Sequence, residues 1–131
     1  MQCVFPNGFA TCPKDVLIVE DDPLIALDLK DVLLGMGIMA VRTAGTVATA
    51  LGMITSRAPD FALLDVGLIR EKSFAVAERL AGLKIPFAFV TGYGEDKIPV
   101  TFAEIPMLPK PCSPEALQTL LRRVGVQSGG T

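Results

Sequence analysis

Apolar residues come in short runs separated by longer amphipathic stretches. Asp15-Val-Leu-Ile-Val-Glu20 is nearly continuous and β-branched, the pattern of a strand buried on both faces. Pro23 to Met36 carries Leu24, Ile25, Leu27, Leu29, Val32, Leu33 and Met36, spaced for a helical face, and Gly35 and Gly37 stop it. Ile38 to Arg42 predicts a second strand, of poorer pattern. Thr46 to Ser56 predicts a second helix, with Gly45 or Thr46 near its cap and Pro59 beyond its end. Phe61 to Asp65 predicts a strand ending on an acid, Ser73 to Leu83 a helix, and Pro86 to Thr91 a fourth strand. Met107-Leu108 marks a short fifth strand. Ser113 and Pro114 cap and open a last helix running to about Val124.

Between the fourth and fifth strands the pattern weakens. A helix belongs there, but Pro99 and Pro106 leave only Val100 to Ile105 free to turn, and so short a helix is marginal. The expectation is a fourth helix that is short or disordered.

Strands alternating with helices through short connections predict an α/β fold. The expected sheet is parallel and five-stranded, in the order 2-1-3-4-5, with helices on both faces. A chain of 131 residues suits one domain. The expected boundaries are a leading extension of unknown order over 1–13, the domain over 14–125 and a frayed tail over 126–131.

Composition narrows the function by exclusion. The net charge of −2 and the lack of a basic stripe leave no electrostatic footprint for nucleic acid. No apolar stretch reaches the ~20 residues of a membrane span, and residues 1–13 lack the charged start of a secretory signal. The chain has no histidine, which excludes Ser-His-Asp and Cys-His catalysis and histidine-bound zinc. Cys3, Cys12 and Cys112 are odd in number and match no metal spacing, so they read as the reduced thiols of a cytoplasmic protein.

In a sheet of this order, ligands bind beyond the carboxyl ends of the strands. Those ends carry Glu20-Asp21-Asp22, Asp65, Thr91 and Lys110. Carboxylates that close repel unless a cation or proton intervenes. A hard divalent cation, Mg2+ by default, answers this with Asp21, Asp65, the Gly67 carbonyl and waters as ligands, Glu20 acting through a water. Asp22 precedes Pro23 and reads as the cap of the first helix ahead of a direct metal ligand. Lys110, between Pro109 and Pro111, supplies either a salt bridge to Asp65 or a cation for an incoming phosphoryl group. The Thr91 hydroxyl is placed to donate to such a group, or merely to fill a strand.

Together, acids after strand 1, Asp65 after strand 3, Thr91 after strand 4 and Lys110 after strand 5 resemble the receiver domain of two-component response regulators over residues 15–124. The stretch Pro86-Phe-Ala-Phe-Val-Thr-Gly-Tyr-Gly94, with Asp65-Val-Gly-Leu68, resembles the "FAT GUY" group of stand-alone receivers common in alphaproteobacteria, with Val90 where the motif has alanine. The resemblance implies that Asp65 accepts a phosphoryl group from the phosphohistidine of a sensor histidine kinase in a Mg2+-dependent reaction. It implies Glu20 and Asp21 as the acid pair, Thr91 as the switch hydroxyl, Lys110 as the family's lysine, and a cis Lys110–Pro111 peptide. The chain is then not an enzyme in the ordinary sense. It is expected to be a monomer or weak dimer that signals to an unknown downstream protein by contact or onward phosphotransfer.

The departures matter as well. Met107 stands where receivers carry the aromatic partner of the switch threonine, so Tyr93 or ordering of 94–106 must replace that relay. Gly67 and Tyr93 cannot hold an attacking water with a carboxylate or amide, which predicts slow self-dephosphorylation. Of three other readings, two fit less well and the third is not distinguished. A receiver-like binding module that is never phosphorylated would not need Asp65, Thr91 and Lys110. A haloacid-dehalogenase-type phosphatase would carry its nucleophile on strand 1 and a cap. A receiver excised from a hybrid histidine kinase would look the same as a stand-alone one.

Overall fold

The computed structural model describes residues 13–68, 71–92, 98–110 and 112–129, with 123–129 by backbone alone. Five strands, β1 (Asp15–Val19), β2 (Ala40–Ala44), β3 (Phe61–Asp65), β4 (Phe87–Thr91) and β5 (Met107–Pro109), form one sheet in the order β2-β1-β3-β4-β5. All four pairings are parallel. The helices are α1 (Pro23–Gly35), α2 (Val47–Ser56), α3 (Phe74–Gly82) and α4 (Pro114–Gly129). The expected fold and strand order are therefore those observed.

The two-residue period of the strands sorts their side chains into two cores. Val16, Ile18, Phe61, Leu63, Ala88, Val90 and Leu108 pack with Leu29 and Leu33 of α1 and with Leu117, Leu120 and Leu121 of α4. Leu17, Val19, Ala62, Leu64, Phe87 and Phe89 face the other way, onto Ala50 and Ile54 of α2 and Val76, Ala77 and Leu80 of α3. A fully buried side chain of this size contributes roughly 1.5–3 kcal/mol, so each layer is a substantial source of stability.

Three elements depart from expectation, two in their bounds and one in the face it buries. The second strand begins two residues later than its apolar pattern suggests. Gly37 turns with φ 97°, the Ile38 N–H closes α1 by donating to the Leu33 carbonyl, and Ile38 is buried as the plug of that turn. Pairing with β1 starts only at Ala40. The last helix continues past Val124 to Gly129. Within α1, Leu24 is 76% and Leu27 53% exposed, while Ala26, Leu29 and Leu33 are buried. At 3.6 residues per turn, Leu24 lies about 140° around the helix from Leu29, so a single face could not bury both.

Between β4 and β5 the described residues contain only a 3-10 turn, Val100–Phe102. Its Phe102 is buried and joins Phe74, Phe87 and Phe89 in a four-ring cluster with centroids 5.7–6.2 Å apart, mostly edge to face. The short fourth helix expected between the prolines is thus one turn held by a single aromatic anchor.

Candidate functional site

Every strand of the central group delivers a polar residue to its carboxyl end. β1 runs directly into Glu20, and its register with β3 pairs Val19 with Leu64, so Glu20 and Asp65 emerge side by side. Asp65 pairs with Val90, which puts Thr91 at the same edge. Thr91 pairs with Pro109, and the Lys110 N–H donates to the Thr91 carbonyl at 2.8 Å, fixing the start of the Lys110 side chain.

The lysine reaches back across the sheet end. Its Nζ donates to Asp65 Oδ2 at 3.0 Å and lies 2.9 Å from Glu20 Oε1. Both acids are buried, Glu20 at 4% exposure and Asp65 at 5%. The other Asp65 oxygen accepts the Gly67 N–H at 3.3 Å, and Glu20 Oε2 accepts the Asp22 N–H at 3.1 Å. Glu20 Oε1 is different, because it has the ion contact but no hydrogen bond of proper direction. Burial, with Asp65 beside it, pushes the Glu20 carboxyl up to about 7, against the pull of Lys110 and the Asp22 N–H. Burial opposes the lysine's charge, yet the two carboxylates hold its pKa above the ordinary value.

One cation is thus shared by two buried acids, with a third acid beside them. Oxygens of Glu20, Asp21 and Asp65 lie within 4.8 Å of one another. Three hard oxygen donors, one an acceptor with no aligned partner, suit a small divalent cation, and the trio could hold a metal ion.

The sequence left Asp22 with two roles, and the structure shows one of them. Its side chain accepts from the Leu24 and Ile25 N–H groups at 2.9 and 3.4 Å, capping α1. The Thr91 hydroxyl is half-buried with no hydrogen-bond partner among the described residues. Met107 is 54% exposed, whereas its neighbour Leu108 is buried. Tyr93 and the Lys110–Pro111 peptide lie outside the described residues.

These observations match one family. The profile of the response regulator receiver domain covers residues 16–122. The chain is a response regulator receiver domain. Its fold overlays the solution structure of SdrG from Sphingomonas melonis Fr1 with a TM-score of 0.76 at 41% identity, over 86% of this chain and 96% of that one. The BeF3-activated conformation of SdrG from Pseudomonas melonis Fr1 overlays at 0.75 with 40% identity, over 86% and 97%. Among curated proteins, the Phyllosphere-induced regulator PhyR of Methylorubrum extorquens is 34% identical over 89 residues, 66% of this chain and 33% of that protein. The chain spans about a third of PhyR and 42% of the Mycobacterium tuberculosis regulator PdtaR. No described helix is long and apolar enough to cross a membrane.

The sequence missed two supports of the receiver domain. Glu71, in the loop after β3, accepts the Val47 N–H at 2.9 Å and so caps α2 from a distance. Asp15 receives Arg42 through Nε and Nη2, each at 3.1 Å, and Arg57 Nε at 2.8 Å, tying β1, β2 and the end of α2 together at the opposite edge of the sheet. Neither pair has a local sequence signature, since the partners are 24 to 42 residues apart.

Proposed function

We propose that Asp65 is the phosphoryl acceptor of a single-domain response regulator, with a sensor histidine kinase as donor. The observation that carries this reading is the Lys110 ammonium bound to Asp65 Oδ2 and in contact with Glu20, at the strand ends where a ligand binds.

An Asp65 oxygen attacks the phosphorus of a kinase phosphohistidine. The P–N bond breaks, the imidazole leaves and an acyl phosphate forms. Lys110 follows the new charge from the carboxylate to the phosphoryl oxygens. The unpartnered Thr91 hydroxyl is placed to donate to one of them. Glu20, Asp21, Asp65 and the Gly67 carbonyl would hold Mg2+, which supplies charge neutralisation at the phosphoryl oxygens when bound. SdrG, a relative that adopts a BeF3-activated conformation, supports this reading.

Transfer of Lys110 and Thr91 toward the phosphoryl group pulls on β4 and β5. The segment joining them is pinned by Phe102 rather than by an aromatic at position 107. Its movement, with or without Tyr93, is the reading for how a cytoplasmic downstream protein senses the modification. Slow self-dephosphorylation follows from Gly67, which offers no side chain to hold a water.

Incubation with acetyl phosphate and Mg2+, read by intact mass, tests the proposal. A gain of about 80 Da is expected, abolished by Asp65→Ala and by chelation of the metal. No gain from acetyl phosphate or from a phosphorylated kinase would leave the chain a receiver-like binding module.

A further inference from the structure

The chain leaving β3 turns back at once onto its own start. Val66 and Leu68 are buried in the core under α2 and α3, and Gly67 between them forms an isolated antiparallel bridge with Lys72. The hydrogen bond of the bridge comes from its flanks, the Ser73 N–H donating to the Val66 carbonyl at 3.3 Å. The Gly67 N–H is thereby left to Asp65 Oδ1, also at 3.3 Å. Gly67 thus touches the acceptor with one end of its backbone. Its other end is the carbonyl that the proposed function gives to Mg2+.

A bridge of one residue pair is weak, and the returning arm needs an outside hold. Ser73 is buried at the head of α3, but its hydroxyl has no hydrogen-bond partner among the described residues. Glu71 supplies the hold, because its Oε2 accepts the Val47 N–H at 2.9 Å. That N–H is an orphan donor of the first turn of α2, and the Thr46 side chain leaves it unserved by accepting from Thr49. α2 carries no acid of its own in that turn, and Glu71 brings a carboxylate to its positive end. The helix is itself seated on the core by Ala50 and Ile54.

We propose that Glu71 is a positioning residue for the phosphoryl-acceptor site. By tying the returning arm to α2 it fixes the bridge, and so holds the Gly67 backbone in the place from which it serves Asp65 and the ion. That role rests on the reading of Glu20, Asp21, Asp65 and Gly67 as the Mg2+ site. Glu71 touches neither the ion nor the phosphoryl group; it acts through Lys72 and Gly67, the pair that joins the two arms. Its loss is felt as disorder rather than as missing charge, since a Gly67 that wanders must be ordered again when the ion binds.

The test is a Mg2+ titration of isotopically labelled, unphosphorylated protein, followed at the Gly67 amide. Glu71→Ala is expected to weaken Mg2+ binding roughly threefold to tenfold. Glu71→Gln keeps an oxygen that accepts from Val47 and should restore most of the affinity. Thr46→Ala removes the other cap of α2 and should lower stability while leaving Mg2+ affinity as in wild type. Glu71 is exposed, so neither of its variants opens the core. A Glu71→Gln protein as weak as Glu71→Ala would overturn the inference, because the effect would then be one of distant charge. So would a Thr46→Ala protein equally weakened, which would make the effect one of α2 stability alone. Wild-type protein that binds Mg2+ beside a Glu71→Ala protein of equal affinity removes the tether and spares the proposed function. Wild-type protein that takes up no Mg2+ removes the metal reading, and the tether falls with it.

Discussion

At the scale of single residues, Glu20 is the most perturbed group of the site. Its folded pKa of about 7 lies above the ordinary 4.5, so between these values the native state holds more protons than the unfolded one. Its contribution to stability is fully present below pH 4.5 and is lost as pH rises through 7. In metal-free protein, urea unfolding should therefore show a decline on the order of a few kcal/mol across that window. Glu20→Gln should flatten it. Asp22 makes the complementary case. Asp22→Ala should cost about 1 kcal/mol through the lost cap, measured by urea unfolding, while the mass gain at Asp65 persists. Loss of phosphorylation in a folded Asp22→Ala protein would instead make Asp22 a ligand. The sequence could list the acids at the strand ends but not rank them, because burial and the reach of Lys110 are properties of the assembled sheet.

At the scale of elements, the 3-10 turn between β4 and β5 buries one of its own side chains, with Ile98 and Ile105 packed at its flanks. Phe102 reaches into the ring cluster, whereas Val100 is almost fully exposed. Phe102→Ala should cost about 3 kcal/mol, seen as a lower urea midpoint. Hydrogen exchange should show 98–106 opening well below the global unfolding free energy. The weakness of this element was legible in Pro99 and Pro106. Its anchor was not, because Phe102 is sequence-distant from Phe74 and Phe87 and meets them only across the α3 face of the sheet. The α1 prediction erred for a related reason. Leu24 and Leu27 belong to the apolar list of that helix but not to its buried stripe.

At the scale of the whole molecule, chemistry and fastening occupy opposite ends of one sheet. The carboxyl end concentrates the buried charges around Lys110. The amino end is clasped by Asp15 with Arg42 and Arg57, while Asp60 accepts the Lys14 and Asp15 N–H groups. Asp15→Ala would leave the largely buried Arg42 without its carboxylate and should destabilise by roughly 2–3 kcal/mol. Phosphorylation at the far end should be unaffected once the variant is shown folded. If the native arrangement of the three acids holds Mg2+ as proposed, the ion should raise the melting temperature by mass action. Asp65→Asn should diminish that rise.

The order of elements, the parallel sheet and the identity of Asp65, Thr91 and Lys110 were set by local pattern: apolar runs of five, helical stripes and polar residues at strand ends. Periodicity carries such information because each element must bury its own face. The tertiary structure alone decided what the polar residues do to one another. It bound Lys110 to Asp65 and brought it against Glu20, left Glu20 Oε1 without an aligned donor and set Asp22 as the cap of α1. These outcomes depend on register between strands tens of residues apart and on which side chains burial deprives of water, and no local window of sequence contains either.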